Sequence, residues 1–330
     1  MGQKIFLRES YNFQFNHISR TVRLWLLKFL IKIRILVKGV VKIITRKILD
    51  IVEPVYVLEG AGVLLRRSIA TATLDYVDPF LLFDHFGSKN PGDYVLGFPM
   101  HPHRGIETVT YILNGHVDHK DSMGNSGTIG RGDVQWMTSG SGILHEEMPK
   151  EPEEGILEGF QLWVNLPKRL KMTEPRYRGV ESSQIPKIEH ENGQVIKVIA
   201  GEYEGVEGAV TDIYANPTYI DIYLPAETSL DIPVKKGYSV LAYVFEGEGI
   251  FGNSESNSQN DGTPVLATKM IIFDDGELVR VHAHKKSVRF LLISAKPLNE
   301  PIARYGPFVM NTHEEIEQAL LDLQNNTFVK

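Results

Sequence analysis

The hydrophobic rhythm of the chain changes twice. From Thr21 to Ile48 Leu, Ile and Val dominate, but Arg23, Lys28, Lys32, Arg34, Lys38, Lys42, Arg46 and Lys47 interrupt them. No uncharged run approaches the roughly 20 residues that span a bilayer, so no transmembrane helix is expected. Lys28, Lys32, Lys38 and Lys42 recur near helical spacing around Leu24, Trp25, Leu27, Leu30, Ile31 and Ile35. Residues 1–48 therefore read as a basic amphipathic helical extension, for which peripheral membrane contact through residues 21–48, an organelle-targeting helix, a helix packed on the body and a start codon placed too early are the alternatives.

After Ile48 the pattern turns to short β-branched and aromatic runs between Gly, Pro, Asn and Asp. Val55 to Leu58, Gly62 to Ile69, Glu107 to Leu113, Asp133 to Thr138 and Leu157 to Asn165 form one group. Ile196 to Ala200, Tyr219 to Leu224, Ser239 to Glu246, Lys269 to Phe273, Leu278 to His282 and Val288 to Ile293 form another. Turn signals about every 8 to 12 residues predict an all-β chain of sandwiches or barrels. A connector carrying Pro167, Pro175 and Pro186 divides the two groups, so two barrels are expected, over 49–170 and 171–330. The polar stretch Gly252 to Gly262 reads as an exposed hairpin loop. The third rhythm is helical: Thr312 with Glu315 is a capping box opening a short C-terminal helix through about Leu323.

Composition and charge narrow the chemistry. The 330 residues contain no Cys, which removes disulfides, thiolate metal sites and a Cys nucleophile. The net charge of -6 hides an asymmetry: residues 1–48 hold 11 of the 35 basic residues and one acid, Glu9, leaving the remainder near -16. An acidic body lacks the basic footprint of direct nucleic-acid binding. No Walker pattern, no GxGxxG between a strand and a helix and no GxSxG elbow is present.

Two stretches carry chemistry, HPHRGIETVTYILNG from His101 and GDVQWMTSGSGILHEE from Gly132. Residues two apart on a strand share a face, so His101 and His103 point together. His145 and Glu147 repeat the spacing and are expected on a strand across the barrel. Three imidazoles and a carboxylate suit one divalent ion, Fe(II), Mn(II), Ni(II), Cu(II) or Zn(II). Glu107 shares the parity of His103 and is read as a barrel-lining acid near substrate. His116, Asp118 and His119 are expected in a solvated turn, His85 near the barrel mouth, and Arg104 in an ion pair. His282 and His284 repeat the HxH spacing without an HxE downstream and are not expected to bind metal.

The segments DPFLLFDHF at Asp78, HPHRGIETVTY at His101, GDVQWMTSGSGILHEE at Gly132, GFQLWVNLP ending at Pro167 and NEPIARYGPFVMNT at Asn299 together resemble the pirin family, over roughly Ile48 to Phe328. The resemblance implies two cupin jelly-roll barrels in one chain. It also implies one metal, most often Fe(II), on His101, His103, His145 and Glu147, and a C-terminal barrel without metal. Some pirin-like proteins cleave the flavonol quercetin with dioxygen, releasing carbon monoxide. The leading expectation is thus a quercetin 2,3-dioxygenase-like oxidoreductase acting on a flavonol or related enol-phenol, with Glu147 or Glu107 taking the substrate proton. The alternative is a non-catalytic, redox-sensing regulator that binds a protein partner such as a transcription factor or metabolic enzyme. A monomer is expected, cytoplasmic unless the extension attaches it to a membrane or directs it to an organelle.

Overall fold

The structure, a computed structural model, describes residues 43–150, 155–252, 262 and 264–329. The basic extension up to residue 42 and most of the polar loop after Gly252 lie outside the described residues. From Ile44 onward the chain belongs to the β-sheet body. Arg46 lies outside any helix and is buried, and donates to the carbonyl oxygens of Gly276 (3.1 Å), Asp274 (2.6 Å) and Lys235 (2.9 Å). A buried guanidinium is tolerable when its donors are satisfied in this way. Among the described residues no helix is long and apolar enough to cross a membrane.

Each strand group forms a barrel. In the first, a seven-stranded antiparallel sheet runs in the order Arg176–Val180, Val134–Thr138, Ile106–Asn114, Leu157–Asn165, Phe80–Ser88, Val63–Ile69, Val55–Glu59. A four-stranded sheet faces it in the order Phe98–His103, Ile143–Lys150, His116–Asp121, Ser126–Ile129. Val63, Leu65, Ile112, Val117, Ile129 and Leu157 fill one end of the space they enclose.

The second barrel is one ten-stranded sheet folded on itself. Its longest strand, Ser239–Phe251, pairs with Val288–Ala295 and Lys269–Phe273 and, at its far end, with Pro264–Leu266 and Leu278–Ala283. Its interior is apolar, packed by Ile196, Val198, Ile220, Ile222, Val244, Val281 and Phe290.

The barrels meet sheet to sheet. On Leu157–Asn165 the residues Phe160, Leu162 and Val164 enter a core shared with Tyr219, Leu241, Tyr243, Leu291 and Ile293 of the second barrel, while Gln161 and Trp163 of the alternate face line the first barrel's cavity. Period-two alternation thus serves two apolar layers, and each fully buried large side chain contributes about 1.5 to 3 kcal/mol. Two edge strands cross the expected division: Ile48–Val52 pairs with Lys269–Phe273 in the second sheet, and Arg176–Val180 with Val134–Thr138 in the first.

The C-terminal helix spans His313–Gln324 with both capping-box bonds present, Glu315 N–H to Thr312 Oγ1 (3.3 Å) and Thr312 N–H to Glu315 Oε2 (3.1 Å). Buried Ile316 and Ala319 seat it against Phe308, Met310 and Phe328. Arg104 is the ion-pairing residue expected, but its partner is this helix: Nη1 donates to Asp322 Oδ2 at 2.7 Å, and the guanidinium lies 4.3 Å from the Phe328 ring centre.

Candidate metal centre

Phe98–His103 and Ile143–Lys150 are neighbouring antiparallel strands, with His101 directly opposite His145 and His103 opposite Ile143. The second histidine motif therefore stands beside the first rather than across the barrel. Opposed residues share a face of the sheet, and the rings of His101, His103 and His145 converge, with centroids 4.4 to 5.0 Å apart. Their donor nitrogens all lie within 4.8 Å of one another.

The hydrogen bonding of these rings fits a cation. His101 Nδ1 lies 2.9 Å from the Pro99 carbonyl oxygen, to which it donates, leaving Nε2 as the lone-pair nitrogen; this atom stands 3.1 Å from His103 Nε2. Two nitrogens each about 2.1 Å from one metal and at right angles lie about 3 Å apart. Both ring nitrogens of His145 are buried without a hydrogen-bond partner. An orphaned buried group of this kind costs about 1 to 3 kcal/mol, which a ligand bond removes. Burial lowers the pKa of all three, most strongly for His103 and His145, where neighbouring imidazoles add to the effect. Neutral imidazoles are the form that binds metal.

Glu147 lines the same cavity but stands outside the three-imidazole group. Thr110 Oγ1 donates to its Oε1 at 2.9 Å, and burial pushes its carboxyl up to about 7 against that bond. A ligand place for Glu147 and a proton-accepting role both start from this position.

Glu107 lies elsewhere. Gly105, with φ +81°, ends the histidine strand and a new strand starts at Ile106, so the parity counted from His103 does not carry across. A Cβ at Gly105 would stand 2.1 Å from the Val309 carbonyl oxygen, so glycine is required there. On the new strand Thr110 faces the cavity while Val109 and Tyr111 enter the inter-barrel core, and Glu107 shares their parity. It is fully buried, accepts from Thr138 Oγ1 at 2.7 Å, and burial raises its pKa. His85 likewise lies in the inter-barrel layer, its Nδ1 2.9 Å from Tyr243 Oη and its Nε2 3.2 Å from Glu158.

The cavity measures about 460 Å³. Val63, Leu65, Phe86, Phe98 and Trp163 supply apolar wall, and Trp163 stands edge-on to His103 with centroids 5.1 Å apart. Charged groups line it as well. Arg67 holds Asp84 in a two-bond pair (2.8 and 2.7 Å), and the Arg304 guanidinium sits 5.5 Å from the Trp163 ring centre.

Sequence reasoning missed several of these groups. His119 is buried on a strand, directly opposite Glu147, with its ring stacked on Tyr177 and hydrogen-bonded to the Tyr177 hydroxyl. The signal was present: in His116–Asp121 the buried positions are Val117, His119 and Asp121, a two-residue alternation with polar members. Arg67, Tyr177 and Arg304 carry no local signal, because they sit on strands far apart in sequence, Val63–Ile69, Arg176–Val180 and Ala303–Tyr305, and no short-range pattern ties any of them to the histidines.

Two β-barrels joined face to face, with convergent histidines in the first, define a bicupin protein. Comparison with known proteins agrees: the Pirin family model matches residues 62–164, and the Pirin C-terminal cupin domain matches 219–329. A pirin-like protein of Solanum lycopersicum is 44% identical over 268 residues, covering 81% of this chain and 87% of that protein. Human pirin is 41% identical over 270 residues, covering 81% and 88%. The crystal structure of quercetin 2,3-dioxygenase from Acinetobacter baumannii superposes with a TM-score of 0.78 at 36% identity, covering 86% of this chain and 99% of that one. The chain belongs to the pirin family.

Proposed function

We propose that this chain is a mononuclear metal-dependent dioxygenase that cleaves a flavonol such as quercetin or a related enol-phenol. The observation that carries the reading is the convergence of three imidazoles, two of which, His101 and His103, line a largely apolar cavity of about 460 Å³, a size suited to one small aromatic molecule. Similarity to the Acinetobacter quercetin 2,3-dioxygenase supports it.

His101, His103 and His145 would hold the ion, with Glu147 as the fourth ligand or as the base beside it. Iron(II) is the leading candidate, with manganese, nickel, copper or zinc as alternatives. A bound divalent ion supplies positive charge that lowers the pKa of a substrate enol. Glu147, which accepts a hydrogen bond from Thr110, would take that enol proton. The apolar wall clasps the aromatic rings and excludes water, and Arg304, over Trp163, offers positive charge to a phenolate. In the overall reaction the flavonol gains two oxygen atoms from dioxygen and loses one molecule of carbon monoxide, which requires no reductant.

Reconstitution with one metal at a time under anaerobic conditions, followed by oxygen uptake and carbon monoxide release with quercetin, tests the reading. Turnover that tracks one metal and disappears in His101→Ala is expected. Stoichiometric metal without oxygen uptake overturns it and leaves the non-catalytic regulator as the better account.

A further inference from the structure

A second group of metal-binding side chains lies on the outer surface of the second barrel. The donor atoms of Glu227, His282 and His284 all fall within 4.8 Å of one another. On Leu278–Ala283 the residues Val279, Val281 and Ala283 are buried, so His282 projects outward, and His284 follows just beyond the strand's end. Glu227 immediately precedes the partner strand Thr228–Pro233.

Backbone pairing holds the three together. Ser229 is paired with His282 and Thr228 with Ala283, and Glu227 N–H donates to the His284 carbonyl at 2.8 Å, which extends the pairing by one more step. Ser229 Oγ lies 2.9 Å from His282 Nδ1, a bond that orients the ring and leaves Nε2 for a ligand. His284 Nδ1 stands 3.8 Å from Glu227 Oε1. That gap is too long for a hydrogen bond, yet it falls within the roughly 3 to 4 Å separating two donors on one ion with bonds of about 2.1 Å.

We propose that Glu227, His282 and His284 form a second, open binding site for a borderline divalent ion such as zinc, nickel or copper. Two imidazoles and one carboxylate fill three positions, water takes the remainder, and the ion clips the end of the Thr228–Pro233 and Leu278–Ala283 pair. The site shares no residue with the cavity histidines and does not depend on the dioxygenase reading.

Equilibrium dialysis of the full chain against zinc in a chelator-buffered series, with bound metal counted by mass spectrometry, provides the test. Two equivalents are expected for the wild type, and one each for His284→Ala and Glu227→Gln. The paired change His101→Ala with His103→Ala should remove the other equivalent and spare this one. Both His284 and Glu227 are exposed (53% and 68%), so these substitutions leave the fold intact, as circular dichroism would verify. A wild type that takes one equivalent, or a second equivalent that survives in both His284→Ala and Glu227→Gln, overturns the proposal.

Discussion

His101 and His145 face each other across neighbouring antiparallel strands with ring centroids 4.4 Å apart, and both ring nitrogens of His145 lack a hydrogen-bond partner. Two strands so placed present a preformed pair of ligands with little conformational freedom left to lose. His145→Ala should therefore lower metal affinity by more than the roughly 10- to 100-fold that loss of an outer partner costs. Competition with a calibrated chelator measures it, and affinity within threefold of the wild type would remove His145 from the ligand set.

Glu147 and Glu107 separate by position. Glu147→Gln should depress turnover with quercetin at least about 100-fold, as expected for loss of a proton acceptor. Glu107→Gln should retain metal and turnover, whereas Glu107→Ala, which deprives Thr138 of its acceptor, should cost about 1 to 3 kcal/mol in urea unfolding. Equal metal loss in both Gln variants would make Glu107 a metal ligand.

The pH dependence of metal uptake follows from Glu147. Burial holds its carboxyl near 7, so below that pH it carries a proton that an incoming cation must displace. Affinity should rise with pH through about 7, with proton release to match. Burial lowers the pKa of the imidazoles, which keeps them neutral over that window. Calorimetry in buffers of different ionisation enthalpy detects the proton, and its persistence in Glu147→Gln would assign it elsewhere.

Arg304 has a cavity-lining guanidinium over Trp163, while the nearby Asp84 is already engaged by Arg67. Arg304→Gln should raise KM for an ionised flavonol about 10- to 100-fold with kcat little changed, the loss expected for one charged hydrogen bond. An unaltered KM would show that the substrate does not contact Arg304.

The Arg104 and Asp322 pair ties the segment after His103 to the C-terminal helix, with Arg104 1% exposed. Removing one partner of a buried pair costs about 3 to 5 kcal/mol. Arg104→Met should show such a loss on denaturant unfolding, and Arg104→Met with Asp322→Leu should recover part of it. No recovery would mean that packing on Phe328 carries the effect.

Features written within a few residues were legible in advance. The strands Leu157–Asn165 and Lys269–Phe273 match their apolar runs, and Thr312 with Glu315 announced the helix, because side-chain alternation and capping are local physics. The shared face of His101 and His103 follows from the same two-residue period.

Pairings between distant positions left no such trace, and the tertiary structure decided them. It set His145 beside His101 and used the left-handed turn at Gly105 to send Glu107 to the opposite face. It turned His119 inward and carried Ile48–Val52 into the second sheet. It also supplied Glu227 to His282 and His284, which in sequence have no acidic partner downstream. The physical reason is common to all: a strand's own residues determine which side chains share a face, but the neighbour against which that face is set depends on register and burial summed over the whole barrel.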